Sequence, residues 1–328
     1  MKLIITRAGF LTTVQDLGRV GSRRFGVSMG GALDLHALRV ANLLAGNDEN
    51  AAGLEITSGI VRLQFDDNRI VAWCGGEYDV AVGSRQIPSG HSAHIGGNEE
   101  LSISGPHRGC RGWLGISGGI DVPVVLGSRS TDLRGSFGGF EGRPLRDGDV
   151  ISLARNSACA KTLVERLGQE EIAAWSVSHD WSSPAQQEPI LRVVRGSDWD
   201  RFNDSAHHVL TSETFLVSPD SDRMGARLEG SELRRREDCD LISEAVAPGT
   251  IQVPPNGNPI VLLGDCQTIG GYPKIAHVVT VDLPVAAQLR AGDRVRFREV
   301  SLADAHRFLF EHNGELEQFR VGIKLHMR

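Results

Sequence analysis

Apolar residues in this chain arrive in short runs, and glycine, proline or another turn former closes almost every one. The runs fall at 3–6, 61–65, 70–73, 101–104, 113–117, 122–126, 191–194, 214–217, 260–263 and 277–281. Stretches this short, rich in valine and isoleucine, are strand signals rather than helical stripes. Their density predicts a mainly β, barrel-like architecture. Glycine supplies the turns: 39 of the 328 residues, against about 7% in average usage. Two segments read as helices. Residues 32–45 place Leu33, Ala37, Val40 and Leu44 on one face and stop at Gly46-Asn47. Ser301-Leu302-Ala303-Asp304 opens a second helix running to about Phe310.

The length suits two domains, and a weak internal repeat supports that division. Leu145-Arg146-Asp147-Gly148-Asp149-Val150 recurs as Leu289-Arg290-Ala291-Gly292-Asp293-Arg294-Val295, each a turn leading into a strand near the end of its half. Residues 155–189 are rich in Ala, Ser, Gln and Glu and read as a linker with some helix. The expected organisation is a β domain at 1–154, a linker at 155–189 and a related β domain at 190–328.

Composition narrows the function. The balance of 41 acidic to 35 basic residues, formally −6, argues against a nucleic-acid partner. No run approaches the roughly 18 apolar residues of a membrane span, and Arg7 interrupts the amino-terminal apolar run too early for a secretory signal. Cys74, Cys110, Cys159, Cys239 and Cys266 include no close pair, which suits a reducing, cytoplasmic compartment. No phosphate-loop or dinucleotide glycine motif occurs. His91-Ser92-Ala93-His94 and His207-His208 lack the helix and carboxylates of a metal site and read as surface loops. Two Gly-x-Ser-x-Gly matches, at Ser28 and Ser117, are what this glycine and serine content yields by chance.

Four segments carry candidate chemistry. Gly264-Asp265-Cys266-Gln267-Thr268-Ile269-Gly270-Gly271-Tyr272-Pro273-Lys274 follows an apolar run and reads as a loop at a barrel rim. It holds one of two tyrosines and one of four lysines; an ammonium beside a phenol can stabilise a developing oxyanion or a phosphoryl group. Asp222-Arg223-Met224-Gly225-Ala226-Arg227 brings two arginines four apart, able to orient a carboxylate or phosphate, or to form a salt-bridged turn. Asp34 sits in the first turn of the first helix, where capping is the plainer reading. Gly127-Ser128-Arg129-Ser130-Thr131-Asp132 is a hydroxyl-rich loop with one cation, an anion site or a turn.

Nearly the whole chain resembles the KipA family, also called the allophanate hydrolase subunit 2 or biotin-dependent carboxyltransferase-like family, whose bacterial members include the C component of 5-oxoprolinase (PxpC). The blocks are Thr13-Val14-Gln15-Asp16-Leu17-Gly18-Arg19, Gly31-Ala32-Leu33-Asp34, Leu54-Glu55, Gly118-Gly119-Ile120, Gly127-Ser128-Arg129-Ser130-Thr131-Asp132, Asp222-Arg223-Met224-Gly225-Ala226-Arg227-Leu228, Ile251-Gln252-Val253-Pro254-Pro255 and Gly270-Gly271-Tyr272-Pro273-Lys274. The resemblance implies two cyclophilin-like β-barrel domains with a few short helices. It also implies a KipI-like B component (PxpB type) and an A component (PxpA type) as partners, with ATP shared by the complex. The implied activity is ATP-dependent hydrolysis of 5-oxo-L-proline to L-glutamate. The alternatives are biotin-dependent carboxyl transfer to a urea-like acceptor, or a regulatory KipA-type module binding a KipI-like kinase inhibitor. No Ala-Met-Lys-Met biotin acceptor occurs, so carboxybiotin would come from another chain. The implied catalytic residues are Asp34, Asp265, Tyr272 and Lys274. Gln15, Arg129, Arg223, Arg227, Gln252, Gln267 and Thr268 would bind a lactam or urea-like substrate, with no metal.

Overall fold

The computed structural model describes residues 1–168, 171–183, 186–237 and 241–326. The chain forms two compact units that interleave in sequence: Met1–Arg19, Gly30–Ala185 and Glu317–Arg328 make the first, Val20–Met29 and Gln186–Leu316 the second.

The first unit is built on β1 (Lys2–Ala8), β2 (Leu11–Gln15), α1 (Leu35–Leu44), β3 (Gly53–Thr57), β4 (Gly59–Phe65), β5 (Arg69–Val82) and β6 (Arg85–Gln86). It continues with β7 (His91–Ile95), β8 (Glu100–Ile116), β9 (Val150–Ser152), α2 (Ala158–Leu167), β10 (Ile172–Ser176) and α3 (His179–Ser182). Its ten strands form one sheet in the order β10-β7-β5-β8-β4-β1-β9, with β3 joining β2 to β8 and β6 on β5. The pairing of β1 with β4 sets Leu3 opposite Phe65 and Ile5 opposite Leu63, and all four side chains are buried. In this pair the alternation puts Leu3, Ile5, Leu63 and Phe65 into the core and leaves Lys2, Thr6 and Arg62 on the exposed face.

The second unit holds β11 (Ile190–Arg195), α4 (Asp204–Ser212), β12 (Thr214–Val217), β13 (Gly225–Glu229), β14 (Glu244–Ala245), β15 (Thr250–Gln252) and β16 (Ile260–Leu262). After these come β17 (Ile269–Gly270), β18 (Lys274–Val278), α5 (Leu283–Ala286) and β19 (Arg294–Glu299). Seven strands close into a barrel, β11-β18-β15-β16-β13-β12-β19, and β14 and β17 form a separate two-stranded ribbon. Closure removes sheet edges, so short strands suffice. The last helix, α6 (Leu302–His326), begins in the second unit and its final turns count with the first.

Four expectations about the elements need correction. Residues 155–189, read as a linker, hold α2 and β10, which belong to the first unit, and β10 pairs with β7. Residues 122–126 are not a strand: Pro123 cannot donate, Leu126 adopts φ 53°, and Val125 and Ser128 close a tight turn. The carboxy-terminal helix runs far past Phe310, because Gly314 and Gly322 lie inside it rather than ending it. His91 and His94 lie on β7 and His207 and His208 on α4, not on loops. Cys239 lies outside the described residues. Among the described residues, no helix is long and apolar enough to cross a membrane.

The repeated turn is real in both units. Gly148 and Gly292 have φ of 87° and 88°, a region costly for any residue with a side-chain carbon. In each copy the arginine N–H donates to the aspartate carboxylate three residues on: Arg146 to Asp149 at 2.7 Å and Arg290 to Asp293 at 3.0 Å.

Candidate functional site

The second unit has a cavity of about 370 Å³ against β13, β15 and β16 and the loops that leave them. Strand register explains its wall. Gln252 of β15 stands opposite Ile260 of β16, and Ile260 stands opposite Arg227 of β13. Directly opposed residues share a face, so these three side chains form one row, and all three line the cavity. Along β13, Ala226 and Leu228 are buried while Arg227 and Glu229 are exposed, so the row faces away from the apolar interior.

Arg227 is the cation of this wall, and no ion pair occupies its guanidinium among the described residues. Gln252 is almost fully buried. Its Nε2 donates to the Tyr272 carbonyl at 3.1 Å, and its Oε1 accepts from Gln267 Nε2 at 3.2 Å. Gly270 sits tight beside it: a Cβ there would lie 2.7 Å from Gln252 Nε2, so the amide would have to shift. Tyr272 lines the cavity and is 46% exposed. Asp220, Asp222 and Glu229 add carboxylates to the wall, and the Asp222 carboxylate accepts from the Met224 and Gly225 N–H groups at 2.7 and 3.2 Å. A guanidinium with no ion pair among the described residues, two linked amides and a phenol suit a small molecule carrying both a carboxylate and an amide-like group.

Other expected residues are placed differently. Lys274 does not line the cavity. It is buried, and its Nζ lies 3.1 Å from Asp198 Oδ2 and 3.1 Å from Glu244 Oε2. Burial works against the charged ammonium, but its hydrogen bonds to the two carboxylates outweigh that and hold its pKa above the ordinary lysine value. Arg223 and Asp265 form a nearly buried pair, Nε to Oδ2 at 2.8 Å and Nη2 to Oδ1 at 3.1 Å. That pair braces the turn before β13 against the loop after β16. The Thr268 carbonyl accepts from the Val246 N–H, and its side chain is not part of the cavity wall.

Asp34, Gln15 and Arg129 belong to the first unit. Asp34 is the N-cap of α1, fully buried, accepting from the Ala37 N–H at 2.8 Å. Burial pushes its carboxyl up from 3.8 to about 7, with the Glu55 charge adding to the rise. Gln15 Nε2 donates to Thr13 Oγ1 and the Thr131 carbonyl at 3.0 and 3.3 Å. Arg129 Nε donates to the Val122 carbonyl at 3.2 Å. Beside them, Asp16 gathers two of the sequence blocks around one buried carboxylate. It accepts from Ser128 Oγ, Ser130 Oγ and the Arg129 N–H, each at 2.6 Å, and from the Gly18 N–H at 2.8 Å. Those blocks therefore have a structural reason to occur together. The sequence reading did not single out Asp198, Glu244, Asp220 or Glu229, since an isolated acid in a turn or on a strand edge gains meaning only from a partner distant in the chain.

Residues 25–299 match the family described as carboxyltransferase domain, subdomain A and B. The chain is 38% identical over 303 residues to the C component of 5-oxoprolinase from Escherichia coli, covering 92% of this chain and 93% of that protein. It is 34% identical to the C component of 5-oxoprolinase from Haemophilus influenzae, covering 94% of each. The crystal structure of the K. lactis urea amidolyase superposes with a TM-score of 0.84 at 26% identity over 97% of this chain, which spans 20% of that longer protein.

Proposed function

This chain belongs to the family of carboxyltransferase domains with subdomains A and B, and from that membership we propose that it acts as the C component of a 5-oxoprolinase-type enzyme. With A-type and B-type partners it would open 5-oxo-L-proline to L-glutamate in an ATP-dependent reaction. The observation that carries this reading to particular residues is the gathering of Arg227, Gln252, Gln267 and Tyr272 on one cavity. Arg227 would hold the substrate carboxylate through paired N–H donors. The linked amides of Gln252 and Gln267 would meet the lactam, one group donating to its carbonyl and the other accepting from its N–H. The Tyr272 hydroxyl would donate to negative charge developing on the lactam oxygen. The three cavity carboxylates suit a triphosphate poorly, so we assign ATP to another part of the complex.

The test is reconstitution with A-type and B-type partners and assay of glutamate release from 5-oxo-L-proline. Arg227→Ala is expected to lower kcat/KM by about 10- to 100-fold, the loss of one charge-assisted contact pair. No turnover by the full mixture, or unchanged kinetics in Arg227→Ala, would refute the reading. A second reading, carboxyl transfer from carboxybiotin to a urea-like acceptor, draws on the close superposition with a urea amidolyase. Urea carboxylation with a supplied biotin carrier, without lactam turnover, would favour it.

A further inference from the structure

We infer that Lys274 is a positioning residue: its ammonium clamps the β14–β17 ribbon to the barrel through Asp198 and Glu244, and so sets Gln267 and Tyr272 against the cavity. The inference rests on the cavity being the substrate site.

The two carboxylates come from different places. Asp198 follows β11 and is fixed to the barrel: its Oδ2 accepts the Lys274 backbone N–H at 3.0 Å, its Oδ1 accepts from Arg201 Nε at 3.0 Å, and its own N–H donates to the Lys274 carbonyl at 3.1 Å. Glu244 belongs to the ribbon and is otherwise 63% exposed. Lys274 Nζ lies between them, 3.1 Å from each.

The ribbon needs such a tether. Among the described residues it pairs only Glu244 with Gly270 and Ala245 with Ile269, extended by the Val246 N–H to the Thr268 carbonyl at 3.1 Å. A two-stranded piece that small is not stable by itself. Beyond the clamp, the Arg23 guanidinium donates to the Val246 carbonyl, and Gly270 packs on the Gln252 amide. Gln267 lies two residues before β17 and Tyr272 two after it, so the ribbon carries both cavity residues on its flanks. If it shifts, the hydrogen-bonded chain Gln267–Gln252–Tyr272 shifts with it.

Because Glu244 is mostly exposed, releasing the clamp should alter geometry more than stability. In the reconstituted enzyme, Glu244→Gln is expected to raise KM for the lactam about tenfold with kcat within about threefold and Tm nearly unchanged. Lys274→Met should raise KM likewise, with a lower Tm because it leaves the nearly buried Asp198 carboxylate without its ammonium, and the double variant should add no further rise in KM, the non-additivity of groups acting as one unit. Wild-type KM in Glu244→Gln would overturn the clamp, as would a Lys274→Met variant that loses kcat at unchanged KM, since the ammonium would then act on the reacting atoms. If Lys274→Met fails to fold, Glu244→Gln alone decides. Arg227→Ala separates the two levels: unaffected kinetics there refute the cavity as substrate site, whereas impaired kinetics there with normal Glu244→Gln refute only the clamp.

Discussion

Asp34 illustrates how burial reassigns a side chain. One carboxylate oxygen caps α1; the other, Oδ2, is buried with no hydrogen-bond partner among the described residues. With its folded pKa raised from 3.8 to about 7, the native state holds a proton there that the unfolded chain gives up. Stability from this group is therefore full below pH 3.8, falls as pH rises toward about 7, and is flat above that. Asn caps a helix as well as Asp, so Asp34→Asn is expected to stabilise the protein at pH 8 by on the order of 2–4 kcal/mol. The gain should vanish near pH 4. Denaturant melts across that range check it, and a pH-independent difference would contradict the neutral buried acid. Asp16 is the opposite case, a buried carboxylate with four donors. Asp16→Ala should cost about 3 kcal/mol or more by leaving those donors unsatisfied, read from the same melts.

At the scale of the element, local signals were accurate where the chemistry is local. Ser301 caps the start of α6 as expected, with the Asp304 N–H donating to Ser301 Oγ at 3.0 Å and Ser301 Oγ in turn donating to Asp304 Oδ2 at 2.7 Å. Ser301→Ala should lower stability by about 1 kcal/mol, measurable as a drop in Tm with no change in the circular dichroism of the folded protein. The start of α6 was legible because a cap is written in four residues. Its end was not, since helix continuation past Gly314 is decided by tertiary packing, including burial of Leu316 and Ile323. Strand existence was legible for the same reason that 122–126 misled: apolar content marks burial, while the turn geometry at Leu126 lies in the backbone.

At the scale of the molecule, each unit is assembled from separated stretches. Residues 317–326 count with the first unit, where Arg320 pairs with Glu49, Trp181 packs edge-on against Phe319, and His326 stacks on Trp175 at 5.6 Å. A chain ending at Leu316 is expected to melt about 5 °C lower or more. An unchanged Tm in calorimetry would show that these contacts contribute nothing. The sequence alone determined the mainly β class, the repeated glycine turns, the capped helix starts and the family, because periodicity, φ preference and motif order are properties of contiguous residues. Only the tertiary structure decided which expected site residues meet. Arg227 and Gln252 share a wall through strand register, and Gln267 and Tyr272 join it from the segments flanking β17, while Lys274 and Asp265 are claimed by Asp198, Glu244 and Arg223. A charge's role depends on which opposite charge folding brings within hydrogen-bond reach, and that partner can lie anywhere in the chain.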